Sequence, residues 1–259
     1  MNFSIVVPFF NNVSNLETLY ITLSDYFEDP LVEIIILDDN SHVDNFSKLL
    51  VKFKGISNIK ISKNSSNLGP ALTRNKGVDI SIGDYIFFLD ADDGWCKNKA
   101  YTEYENNIKN NIKISGSKAK IVDINDYFFI RQEEAYSNIC DFKHVIFTHS
   151  LFTNPFSTPS VCIKREIILN NKFDPNMRYS EDIDCWRHIL IKNSAIQFNE
   201  QCTYIFKHPY LSGGNSLSTN TFKMTLGSLK SLLKLFFISD MTLLNRIIIG
   251  FAFFYDFIK

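Results

Sequence analysis

Between residues 3 and 93 the chain alternates short apolar runs with stretches of helical period. The runs FSIVVPFF, VEIIILDD, NIKISKN and DYIFFLDADD read as strands, and NLETLYITLSDYF and GPALTRNKGVDIS as helices. Strands that are largely apolar on both faces belong inside a sheet covered by helices on either side, which predicts an open, mainly parallel α/β sheet. Ligands of such sheets gather beyond the carboxyl ends of the strands. The segments Pro8 to Asn12, Asp38 to Ser41 and Asp90 to Asp93 all fall at those ends.

After a polar helix around Lys99 to Lys113 the period becomes less regular, with strands at KISGSKAKIVDI and SVCIKR. A join near residue 105 therefore divides the chain into residues 1–105, residues 106–222 and a tail, 223–259. No Gly/Ser/Pro linker marks a hinge there, so the first two parts read as halves of one domain. In the tail, Leu226, Leu229, Leu232, Leu233, Phe236 and Phe237 share one helical face and Lys223, Lys230 and Lys234 the opposite one. That pattern predicts a basic amphipathic helix that either docks on a membrane or packs its apolar face on the domain. The following IIIGFAFFY is far shorter than the roughly 20 apolar residues a spanning helix needs.

Composition narrows the chemistry. The chain has 259 residues, 45% of them hydrophobic, which suffices for a sizeable core. A formal net charge of −1 gives no general attraction to nucleic acid. The five cysteines are scattered singly, without metal-ligand pairs or a disulfide framework, and MNFSIVVPFFNN has no basic region of a signal peptide; both point to the cytosol.

The stretch GDYIFFLDADDGW gathers Asp90, Asp92 and Asp93 at the mouth of a strand. Like charges so close repel unless a cation sits among them. The segment lacks the glycine and downstream glutamate of a calcium-binding EF-hand loop. Its carboxylates at a strand end, with two other polar strand ends converging, instead suit Mn²⁺ or Mg²⁺ bridging to a phosphorylated ligand. A sugar-nucleotidyltransferase would need a glycine-rich basic loop after the first strand, and VVPFFNN has neither glycine nor base.

Five segments in order, VVPFFNN, IILDDNS, NLGPALTRNKG, FFLDADD and SEDIDCWRH, resemble the inverting glycosyltransferases of family 2, over about residues 3 to 218. The resemblance implies the GT-A fold, a Rossmann-like, mainly parallel mixed sheet flanked by helices. It also implies transfer of a sugar from a nucleotide diphosphate with inversion at the anomeric carbon. By that likeness Pro8, Phe9, Phe10 and Asn11 line the base and ribose pocket, where an aromatic ring stacks on uracil, though ordinary core packing is an equal reading of either phenylalanine. Asp39 matches the acceptor of the uracil N3–H, which favours a UDP-sugar donor. Arg74 matches a contact to the nucleotide or diphosphate; Asn67 and Lys76 are secondary candidates. Asp92 is implied as principal metal ligand, with Asp90 and Ala91 at the ribose and metal and Asp93 auxiliary.

In SEDIDCWRH the second acid, Asp182, matches the base that takes the proton of the acceptor hydroxyl, and Glu181 the acid that orients it. The same segment reads as a helix start capped by Ser180 with acids in its first turn. Asp184, Trp186 and Arg187 are expected in packing and acceptor-side contacts. In KHPYLSGGNSLST, His208 matches a late histidine near metal or diphosphate, with Gly213 and Gly214 in a loop that closes over the donor; extra residues separate His208 from Ser216 relative to the family pattern. Short members with such tails extend polyprenyl-diphosphate-linked oligosaccharides of bacterial surface polysaccharides such as O-antigen, from the inner face of the cytoplasmic membrane. The alternatives are a soluble or protein acceptor, and a nucleotide-sugar-binding relative without catalysis, against which the intact acid motifs speak.

Overall fold

The computed structural model describes residues 2–133, 136, 139, 141–206, 220–239 and 241–258. Its first strands follow the apolar runs: β1 (Phe3–Phe9), β2 (Val32–Asp38), β3 (Ile59–Lys63) and β4 (Tyr85–Phe88). They pair in parallel, with β1 between β2 and β4 and β3 outside β2. Helices α1 (Leu16–Leu23), α2 (Val43–Lys52) and α3 (Pro70–Ile80) connect them. On β1 the two faces go to two cores: Phe3, Ile5, Val7 and Phe9 pack towards α1, and Val6 towards α3.

The sheet does not stop at the sequence join. After β5 (Asp93–Trp95) and α4 (Lys99–Lys109) come β6 (Ile114–Val122), α5 (Ile124–Glu133), β7 (Phe142–Val145), α6 (Phe147–Phe152), β8 (Val161–Lys164), α7 (Arg165–Asn170), α8 (Glu181–Leu190) and β9 (Ala195–Phe206). β8 enters antiparallel between β4 and β6, and the strand order is β3-β2-β1-β4-β8-β6-β9-β5. The long β9 pairs β7 with its first residues and β5 with its last, past an irregularity between Ser117 and Ala119 of β6. One nine-stranded mixed sheet thus carries both halves, and residue 105 lies inside α4.

The tail forms two helices, α9 (Thr221–Phe236) and α10 (Leu243–Ile258), and α9 does not pack most of its leucine and phenylalanine face on the domain. Its buried stripe is Ser231, Leu232 and Leu235 with the half-buried Met224, Gly227 and Ser228. Lys234 Nζ sits 2.7 Å from Asp174 Oδ2 and 2.5 Å from Asp184 Oδ2, Lys230 donates to the Asn176 carbonyl at 3.0 Å, and Lys223 lies over the Tyr179 ring. Phe222, Leu226, Leu233, Phe236 and Phe237 face out instead. Small residues and matched charges, rather than the largest apolar groups, set the rotation: Gly227 approaches the backbone so closely that a Cβ there would stand 2.4 Å from the Tyr179 carbonyl oxygen. In α10 both ionisable side chains described turn inward. Arg246 donates to the Ile238 and Met241 carbonyls, and Asp256 accepts from Ser228 Oγ at 2.6 Å. Leu243, Leu244, Ile247, Phe251, Phe254, Tyr255 and Phe257 are exposed. No helix among the described residues is long and apolar enough to cross a membrane.

Candidate active site

The three parallel strand ends converge as expected, and each residue there takes a distinct position. Pro8 lies within β1 opposite Leu37. Phe9 is 1% exposed and belongs to the core, whereas Phe10 is 50% exposed at the cleft, so only Phe10 is free to stack on a base. Asn11 adopts a left-handed backbone (φ 53°) and ties β1 to the loop after β2: its N–H donates to Ser41 Oγ at 2.8 Å, and its Oδ1 accepts from the His42 N–H and Asn45 Nδ2. Asp38 is the turn-former, accepting the Ser41 N–H at 3.0 Å.

Asp39 is buried and anchors the turn before α3. Its Oδ1 accepts from Asn64 Nδ2 (2.9 Å) and the Leu68 N–H (2.8 Å), and its Oδ2 from the Gly69 N–H (2.8 Å). Ionised carboxyl oxygens offer about four acceptor sites. Asp39 therefore retains capacity for one more donor while it holds this turn. Asn67 donates to the Asp39 carbonyl, and Lys76 to Asn64 Oδ1. Asn64 was not foreseen; an Asn directly after a strand was its only signal.

Gly69 at φ 83° turns the chain into α3, Pro70 opens the helix, and Arg74 one turn later points into the cleft. Its Nη2 lies 2.7 Å from Asp90 Oδ1 and its Nη1 3.0 Å from Glu181 Oε1. One guanidinium thus joins the acid at the end of β4 to the acid that opens α8. Burial works against its charge, but Asp90 and Glu181 together raise its pKa still further. Ala91 is buried, and Asp92 beside it is exposed. Partial desolvation in the cleft, then the Asp90 charge, raise the Asp92 carboxyl above its usual range. Asp93 is buried, and desolvation followed by Asp92 and Asp90 pushes its carboxyl well up.

At the other wall Ser180 is not a cap. It has left-handed backbone (φ 57°), and its Oγ donates to the Met224 carbonyl of α9 at 2.8 Å. Glu181 and Asp182 follow in the first turn of α8, and Asn154 Nδ2 donates to Asp182 Oδ2 at 2.8 Å. Desolvation is the main cause that raises both carboxyls; Arg74 opposes it at Glu181, and the Ile183 N–H and Asn154 at Asp182. Asn154 was also missed, because nothing in its spacing links it to α8. Asp184 pairs with Lys234, Trp186 packs on Phe88 and Phe173, and buried Arg187 donates to the Ser150 and Leu151 carbonyls and to Ser228. These three fasten α8 and do not line the cleft. His208, Gly213 and Gly214 lie outside the described residues.

Hard carboxylate oxygens at Asp90 and Asp92, like-charged and desolvated, fit a divalent cation. Among the described residues no cluster of three ligating side chains closes around one point.

Residues 4–163 match the profile of Glycosyl transferase family 2. An uncharacterized glycosyltransferase of Rickettsia conorii is 31% identical over 221 residues, covering 85% of this chain and 34% of that protein. The chain spans about a third of the length of the Rickettsia relatives it matches. An Escherichia coli protein, UDP-Glc:alpha-D-GlcNAc-diphosphoundecaprenol beta-1,3-glucosyltransferase WfgD, is 28% identical over 230 residues, covering 85% of this chain and 81% of its own. In structure, Staphylococcus aureus TarS 1-349 in complex with UDP-GlcNAc superposes with a TM-score of 0.74 at 17% identity, over 99% of this chain and 72% of that one. The mixed, helix-flanked sheet is therefore the GT-A fold.

Proposed function

This chain belongs to Glycosyl transferase family 2, and from that premise we propose an inverting, metal-dependent transferase that moves a hexose from a UDP-sugar to a hydroxyl of a lipid-linked oligosaccharide. The observation that carries the reading is the Arg74 bridge. It sets the donor-side acid Asp90 and the acceptor-side acid Glu181 on one guanidinium, so the two motifs face one cleft. The nucleotide belongs at the ends of β1 and β2, with Phe10 against uracil and the free acceptor site of Asp39 for its N3–H. Mn²⁺ or Mg²⁺, held by Asp92 and Asp90, would supply positive charge for the departing diphosphate.

Asp182 accepts the hydroxyl proton as the acceptor oxygen bonds to C1 and the C1–O bond to UDP breaks. Its raised carboxyl pKa suits a base that must hold a proton transiently near neutral pH. Arg74, which already counters Asp90 and Glu181, is placed to meet charge on the diphosphate oxygens. The acceptor reading draws on WfgD, named for a diphosphoundecaprenol substrate, and on the exposed apolar outer residues of α9 and α10, α9 being the helix that packs on the start of α8. Those residues suit contact with the inner surface of the cytoplasmic membrane, through apolar groups instead of the lysines.

The test is UDP release from a panel of UDP-sugars with α-GlcNAc-diphospho-lipid as acceptor. Asp182→Asn should keep UDP-sugar affinity within a few-fold and lower turnover by about 10² or more. Undiminished turnover in that variant, with collapse in Glu181→Gln, would reassign the base.

A further inference from the structure

The base sits at the start of a helix, and the group that touches its carboxylate arrives from a loop 28 residues earlier in the chain. Asn154 follows α6 at an exposed position, and the two residues after it hold its loop in place. Pro155 confines residue 154 to extended backbone. Gln197 Nε2 donates to the Pro155 carbonyl at 2.6 Å, and Phe156 is buried against Gly116. The Phe156 N–H lies 3.4 Å from Asn154 Oδ1, which marks that atom as the amide oxygen and leaves the NH₂ for Asp182.

The charged and titratable groups acting on Asp182 are Arg74 from α3 and Glu181, Cys185 and Arg187 from its own helix. Two neutral donors meet it as well, the Ile183 N–H of its own helix and, from outside the helix, Asn154 Nδ2 at 2.8 Å. A carboxylate turning freely about its last torsion would meet an acceptor hydroxyl in many orientations, and only some are productive. The geometry points to Asn154 as a positioning residue: its amide fixes the rotation of the Asp182 carboxylate and solvates its charge, so that the remaining lone pairs present one direction to the acceptor hydroxyl. This rests on Asp182 being the base.

The test uses the full chain with Asn154→Ala, Asn154→Asp and Asp182→Asn, followed by UDP release across pH and by ¹³C-carboxyl NMR titration of Asp182. A hydrogen bond to a charged group is strong enough that its loss should move the Asp182 midpoint up by about one pH unit. In Asn154→Ala, turnover should then fall about tenfold on the acid side and recover only in part at higher pH, where the lost orientation of the ionised carboxylate remains, with the donor KM within about twofold. Asn154→Asp should move the midpoint further, since a like charge replaces the donor. Adding Asn154→Ala to Asp182→Asn should cost nothing more. An unshifted Asp182 midpoint, a loss equal at every pH, or additivity with Asp182→Asn would overturn the proposal while the base assignment stands. Full turnover in Asp182→Asn would overturn both.

Discussion

Two glycines in the helical tail give opposite expectations for one substitution. Gly227 lies within α9 and Gly250 within α10. Helix propensity alone favours Gly→Ala at either by about 0.5–1 kcal/mol. At Gly250 a Cβ meets nothing within 4 Å, so that gain should be kept. At Gly227 the Cβ would stand 2.4 Å from the Tyr179 carbonyl oxygen, 2.9 Å from its carbon and 3.0 Å from Ser180 Oγ. Relief requires α9 to move off the start of α8 by most of an ångström, against rigid backbone. Overpacking of this kind costs roughly 1–3 kcal/mol, so Gly227→Ala should be net destabilising by about 0.5–2 kcal/mol after the helix gain. For a domain of this size each kcal/mol shifts Tm by about 2–4 °C. Thermal unfolding of both variants should show Gly250→Ala rising and Gly227→Ala falling. Because Ser180 precedes the acid pair, Gly227→Ala should also lose turnover, while Gly250→Ala should not. A Gly227→Ala protein as stable as Gly250→Ala would refute the close packing of α9 on α8.

Removing Lys234 takes from Asp184, almost wholly buried, the lysine that sits 2.5 Å from its Oδ2. Lys234→Met should cost about 1–3 kcal/mol in urea unfolding near pH 7. Burial raises the Asp174 carboxyl, but its bond to Lys234 outweighs that and leaves it below the usual range. Its share of stability is therefore present above the unfolded carboxyl value of about 3.9 and lost as pH falls through the lower folded value. The gap between Lys234→Met and wild type should accordingly narrow below about pH 4; a gap constant to pH 2.5 would contradict the pairing. At the donor side, Asp92→Ala should abolish transfer and leave Tm unchanged or slightly higher, since it removes one of three crowded like charges. Chelation with EDTA should silence wild type, and full activity in EDTA would dismiss the metal.

Strands buried on both faces were the most legible part of the chain: β1, β2 and β4 are apolar at nearly every position, and little else tolerates such runs. The acid motifs were legible too, because Asp90 to Asp93 and the Glu181–Asp182 pair are local in sequence and costly without a reason. Side-chain direction was less so. Phe9 and Phe10 are adjacent and identical, and only the end of β1 decides which one enters the core. The α9 pattern marked an apolar stripe, but hydrophobic content does not say whether such a stripe packs on the domain or faces outwards. The face that is buried carries Gly227, Ser228 and Ser231, whose small size admits the start of α8, and at its edge Lys234 pairs with both Asp174 and Asp184. Asn154 and Asn64 act across loops, and no local pattern announces such partners.

The fastening of α8 has a consequence for the order in which the chain becomes whole during synthesis. β1 to β4 and their helices need only residues up to 88 for their sheet, so this wall of the cleft can assemble early as the polypeptide emerges from the ribosome. The opposite wall must wait. Arg187 is buried, its neighbouring carboxylate is Asp256 at 3.9 Å, and Asp184 takes its lysine from position 234. Until α9 and α10 have been made, the buried Arg187 lacks the Asp256 carboxylate and Asp184 lacks Lys234, and the cleft has one finished side. Asn154 can reach Asp182 before then, but the helix that carries Asp182 is fastened last, so a ribosome that stalls before residue 256 leaves the nucleotide wall built and α8 incompletely held.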